Sequence, residues 1–115
     1  MQVSLGSLQT VSATIANTAT KSGAVATGGM ALVGIYMPAA FTGTTITFEV
    51  HNQETGTYNP VKKSDGTALT YTVDNAAVSY VAIDPSYFYG VFYLKVVAGS
   101  AQGASRTLTL ALKGM

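Results

Sequence analysis

From Val11 to Leu112 the apolar residues of this chain recur mostly at every second position, a period that fits β-strands and excludes amphipathic helices. The segment 45–51 is the clearest case. Ile46, Phe48 and Val50 alternate with Thr45, Thr47, Glu49 and His51, as they must if one face of a pleated strand is buried and the other is wet. The same alternation runs through Val11, Ala13 and Ile15, through Leu69, Tyr71 and Val73, and through Leu108, Leu110 and Leu112. Met30 to Met37, Val78 to Ile83 and Val91 to Val97 are apolar on both parities, which predicts central strands or strands covered by a partner. In the last of these, Phe92 shares the parity of Leu94 and Val96 and reads as core, whereas Tyr93 shares that of Lys95 and reads as outward.

Turn chemistry separates the runs at short intervals. Asn52 to Gly56 suits a five-residue hairpin loop, and Ser64-Asp65-Gly66-Thr67 suits a second tight turn, because Gly takes positive φ freely and Asp tolerates it. Together they predict a three-stranded meander over 44–51, 57–62 and 67–73. Asp84-Pro85-Ser86-Tyr87-Phe88-Tyr89-Gly90 carries the one helical signal, with an N-capping Asp, Pro at the first position and Gly at the exit. With strands near 10–16, 22–27, 30–37, 44–51, 57–62, 67–73, 78–83, 91–97 and 105–112, the expected fold is all-β: an eight- or nine-stranded jelly-roll-like sandwich or barrel with one short helical turn. At 115 residues the chain supports a single such domain, over 10–115, after a flexible arm at 1–9. Residues 98–105, small and polar, read as a mobile loop.

Composition limits what this domain can do. Only 10% of residues are charged and the formal net charge is +1, so no electrostatic footprint for nucleic acid or an anionic membrane exists. Thr, Ala, Gly and Ser make up 53 of the 115 residues, and a surface built from them is weakly protected against self-association. The longest apolar run, 30–41, is interrupted by Gly34 and Pro38 and falls short of a membrane span. The first 21 residues lack the basic and apolar blocks of a secretory signal, which predicts a soluble protein made in the cytoplasm.

Reactive chemistry is sparse. There is no cysteine and one histidine, His51, on the outward parity of its strand. One imidazole with scattered carboxylates does not make a zinc site. Asp65 and Asp74 read as turn residues and Asp84 as a cap, which leaves Glu49 and Glu54 as solvated charges. Gly28-Gly29 precedes a strand instead of opening a helix, so no phosphate loop is present. The expectation is a non-enzyme with no catalytic residue, cofactor or metal.

Aromatic residues are the more informative set, with five of them between Tyr87 and Tyr93. Tyr is enriched where proteins meet. Tyr36, Phe41, Tyr58, Tyr87, Tyr89 and Tyr93 are the expected interface residues. The cluster at 87–93 could equally plug one end of the sandwich or offer a platform for sugar rings.

The stretch GGMALVGIYMPAAFTGTTITFEVHNQETGTYNPVKKSDGT, followed by YVAIDPSYFYGVFYLKVVAGSAQGASRTLTLALK, resembles small β-proteins of tailed bacteriophages, in particular the jelly-roll cement or decoration proteins of phage heads. The MPAAFTG element, the TGTYNPV return strand and the IDPSYFYG turn before YLKVV carry the resemblance, which spans residues 10–113. Where members of that group often have Trp after MPAA, this chain has Phe41. The resemblance implies a virion protein on the capsid surface, docked on the major capsid protein lattice and self-associating as a dimer or trimer. It brings no catalytic residues. A tail- or fibre-associated module binding host glycan is the alternative it leaves.

Overall fold

The computed structural model describes residues 8–114 and is all-β apart from one turn of 3-10 helix at Pro85–Phe88. Nine strands follow in order: β1 (Leu8–Ile15), β2 (Val25–Ala26), β3 (Ala31–Met37), β4 (Thr45–His51), β5 (Asn59–Pro60), β6 (Tyr71–Thr72), β7 (Ser79–Ala82), β8 (Tyr93–Ala98) and β9 (Arg106–Lys113). The first strand begins two residues before the expected boundary at residue 10, and the remainder of the expected arm, residues 1–7, lies outside the described residues.

The strands form two antiparallel sheets, ordered β1-β9-β3-β7 and β2-β8-β4-β5, with β6 also on β4. The pairs β1 with β9, β2 with β8, β3 with β7, and β4 with β5 and β6 are the rungs of one long hairpin. Rolling that hairpin brings β9 onto β3 and β8 onto β4, closing both sheets. This is the jelly-roll arrangement, two sheets joined by Greek-key crossings. One apolar cluster lies between the sheets, with Ile15, Leu32, Ile35, Leu108, Leu110 and Leu112 from one side meeting Ile46, Phe48, Leu94 and Val96 from the other.

Local chemistry accounts for the details. Leu32 and Ile35 are both fully buried although they differ in parity, because the β3–β9 register shifts between Leu32 and Gly34 and inserts Val33 as a bulge. Asp84 caps the 3-10 turn by accepting from the Ser86 N–H at 3.0 Å, which aims Phe88 inward to meet the Phe48 ring edge-on at 5.1 Å. In the Ser64–Thr67 turn, Gly66 has φ +86° and Asp65 accepts from the Thr67 N–H and hydroxyl at 2.9 and 2.6 Å. Those bonds to Thr67 hold the Asp65 carboxyl below its ordinary value of 3.8. A lowered folded pKa adds stability that is complete above the ordinary value and lost as pH falls through the lowered one. In an NMR titration Asp65 should therefore protonate below 3.8, and Thr67→Val should bring it back toward that value.

Three expectations about the strands are corrected. The meander does not form: β5 and β6 lie end to end along the same edge of β4, joined by the tight turn. Pro60 offers no N–H to extend the β5 ladder. β7 is an edge strand and not a central one, and the second apolar parity of its segment, Val78 and Tyr80, faces outward, which leaves the other reading, a strand covered by a partner. Phe92 is 50% exposed, because β8 starts only at Tyr93 and Val91 takes the buried position ahead of it.

The loop at 98–105 is fastened instead of free. Gln102 is buried, its Oε1 accepts from the Thr42 N–H at 2.9 Å, and its Nε2 donates to the Thr42 and Ser100 carbonyls at 2.9 and 3.1 Å. Its backbone bonds the 16–19 turn as well, donating to the Ala19 carbonyl and accepting from the Thr18 N–H.

Candidate partner-binding surface

The six aromatic residues expected at an interface do not converge on one surface. Tyr36 lies on the outer face of the β1-β9-β3-β7 sheet and is 51% exposed. Tyr58 and Tyr93 lie on the outside of the other sheet, Tyr93 directly opposite His51. Tyr87 packs partly against the core at the end of the sandwich, and Tyr89 beside it is exposed.

Phe41 is corrected outright. It is 2% exposed and belongs to the core, because Ala40 takes a positive φ of 59° and turns the chain so that the next side chain drops between the sheets.

Tyr36 has a companion that sequence reasoning did not select. Tyr36 and Tyr80 are direct cross-strand partners on β3 and β7, with ring centroids 4.7 Å apart. The Tyr80 phenol reaches over Gly34 to the Val33 carbonyl at 3.4 Å, and a Cβ at position 34 would overlap that phenol. Gly34 is therefore the residue that lets the Tyr80 ring lie flat on the sheet. The one available signal was the doubled apolar parity of 78–83, which marks a strand covered on both faces.

Around this pair the outer face carries hydroxyls and small apolar groups. Thr14 and Thr107 share a hydroxyl hydrogen bond of 3.1 Å across β1 and β9, and Ser12 stands opposite Thr109. A groove of about 400 Å³ runs between Leu8, Thr10, Val33, Tyr36, Tyr80 and Ala111. Leu8 and Val78, 75% and 72% exposed, extend the apolar surface to either side. Among the outward positions of these four strands only Lys113, at the end of β9, is charged.

The opposite sheet presents a different chemistry. Lys21 bridges to Glu49 at 2.9 Å, Glu49 stands opposite Lys95, and the Lys95 ammonium sits 4.5 Å from the centre of the Tyr58 ring. His51 packs edge-on against that ring, and the Tyr58 hydroxyl donates to the Glu54 carbonyl at 2.8 Å. Burial in this cluster pushes the Tyr58 phenol above its ordinary value, with the nearby charges of Glu54 and Tyr93 adding to the effect. With its ring flanked by Lys95 and His51, Tyr58 does not offer an open face for stacking. Among the described residues no three His, Asp or Glu side chains come together as metal ligands, and no helix is long and apolar enough to cross a membrane.

No protein-family model and no curated protein matches the chain. Solved structures do match. The crystal structure of the SPBc2 prophage-derived protein YomS superposes with a TM-score of 0.54 at 16% identity, over 96% of this chain and 98% of that one. A Yersinia pseudotuberculosis-derived mitogen aligns more loosely, with a TM-score of 0.41 at 13% identity over 96% and 88% of the two chains. YomS has the same β-architecture along almost its whole length, so the two-sheet fold described here is shared with a prophage-derived protein.

Proposed function

We propose that this protein is a non-enzymatic decoration, or cement, protein of a phage head, which docks on the major capsid protein lattice and stabilises the shell. The observation that carries this reading is the outer face of the β1-β9-β3-β7 sheet, where the Tyr36–Tyr80 pair, its rings in contact and tilted by 55°, sits among exposed apolar and hydroxyl side chains with little charge. Clustered exposed apolar surface marks an interaction site, and Tyr at the centre of such a patch is a typical anchor. The sequence resemblance to decoration proteins and the fold shared with a prophage-derived protein support the same reading.

A ligand that binds only the assembled lattice stabilises it by mass action. Purified protein added to undecorated shells should therefore raise the temperature at which they release DNA. The gain should change little between low and physiological salt, because few charges are available to be screened. The double variant Tyr36→Ser/Tyr80→Ser should fold normally and bind shells at least about tenfold more weakly, the loss expected of a central aromatic anchor. Gly34→Ala, which displaces the Tyr80 ring without touching the core, should weaken binding in the same direction. Shells that release DNA at one temperature with and without saturating protein would contradict the proposal.

The alternative, a tail- or fibre-associated module binding host glycan, draws on the groove of about 410 Å³ between His51, Asn52, Asn59 and Gly90, where amide side chains stand beside the sandwich end that carries Tyr89. Copy number separates the two. A decoration protein approaches the abundance of the capsid protein in purified particles, and a fibre module is far scarcer.

A further inference from the structure

The two sheets have four edges, and three of them are blunted. β2 is two residues long. The β5/β6 edge is broken into two short pieces and carries Pro60, Lys62 and Lys63 between them. β7 has four residues. Short strands, Pro, Lys and interruptions are the usual means of keeping a sheet edge from pairing with another chain.

β1 has none of these. It is eight residues long, contains no charge and no Pro, and pairs with β9 without a register shift from Leu8 to Ile15. Among the described residues no other strand of its sheet lies on its far side. Within the described residues that side is occupied at its C-terminal end, where Ile15 bridges to Ser22 after the chain turns back. Residues 8–14 thus form an open seam about 23 Å long, at roughly 3.3 Å per residue.

From this edge we infer that two copies of the chain pair through β1, antiparallel about a two-fold axis at Val11, joining their four-stranded sheets into one of eight. The occupant follows from the seam. Unpaired N–H and C=O groups in extended spacing accept only another strand. The run 8–14 is also its own complement under a two-fold axis. Leu8 meets Thr14, Gln9 meets Ala13, Thr10 meets Ser12 and Val11 meets Val11, each pair on one face, long side chains mostly opposite shorter ones and no charge opposing another. A register centred on Ser12 would need Ile15, whose edge is already used by Ser22, and one centred on Thr10 would, among the described residues, pair 8–12 alone and leave the rest of the seam open. This inference does not depend on the capsid reading.

The test uses the full chain. Light scattering and sedimentation at tens of micromolar should give twice the 11.8 kDa chain mass. Thr10→Lys/Ser12→Lys, at two exposed positions, should keep the circular dichroism of the fold and weaken dimerisation at least tenfold. Because the chain has no cysteine, Val11→Cys should cross-link to its own copy on mild oxidation, since directly opposed residues stand 4.5–5.5 Å apart. Thr14→Cys should not, because two copies of residue 14 lie about six residues, roughly 20 Å, apart along the seam. A monomeric wild type, a dimer unmoved by the lysine pair, equal cross-linking at 11 and 14, or a dimer split instead by Tyr80→Ser would each overturn the inference.

Discussion

Phe48→Ala is expected to destabilise the fold by about 3–5 kcal/mol, the cost of deleting a large ring from a close-packed core. Phe48 is fully buried and holds the sandwich together at one place: the Phe88 ring meets it edge-on at 5.1 Å from the 3-10 turn, and the Tyr71 ring meets it at 6.1 Å from β6. Neither neighbour can collapse into the space freely. Phe88 is fixed by the Asp84 cap, and the Tyr71 hydroxyl accepts from the Asp84 N–H at 3.0 Å. Thr47→Ala, one residue away on the outer face, should cost less than about 1 kcal/mol, within the span of strand propensities. Urea denaturation of the two variants checks both values, and equal losses would place the strand in the wrong register.

The second large effect is expected at Gln102. Gln102→Leu keeps most of the side-chain volume and removes three hydrogen bonds, leaving the Thr42 N–H and the Thr42 and Ser100 carbonyls without their partner. An unsatisfied buried polar group costs about 1–3 kcal/mol, so the total should reach about 3 kcal/mol or more. Gln102→Ala should cost at least as much, since it adds a cavity to the same loss. The damage should be local as well as global. Gln102 joins the β8–β9 loop to the β3–β4 connection and, through its backbone, to the 16–19 turn. Hydrogen exchange should accelerate at Thr42 and Thr18 before it does in β4. Unchanged stability in Gln102→Leu would show that water replaces the amide without penalty.

These two residues mark what could be read from the sequence and what could not. Phe48 was legible because burial in a strand follows a local rule, a period of two, that needs no knowledge of the partner strand. The Asp84 cap, the Asp65 turn and the all-β class were legible for the same reason: each depends on a few neighbouring residues. Gln102 was not, since its partner Thr42 is 60 positions away and a Gln in a small polar stretch looks like any loop residue. Phe41 misled because its burial depends on a positive φ at Ala40, a conformation that alanine does not advertise. Phe92 misled because parity was carried one residue past the start of β8. Tyr80 was not picked out as the mate of Tyr36, because that pairing is set by the β3–β7 register. In each case the missing information was a long-range pairing or a backbone state, and both come from topology.

On the proposed function, a jelly roll with little reactive chemistry binds its partner through the Tyr36–Tyr80 face. The most direct test is a density map of phage shells incubated with the purified protein. The proposal predicts regular density on the outside of the shell, at the same positions on every capsomer lattice site, with the β1-β9-β3-β7 face turned toward the capsid protein. A bare shell at saturating protein, or density confined to the tail, would contradict it.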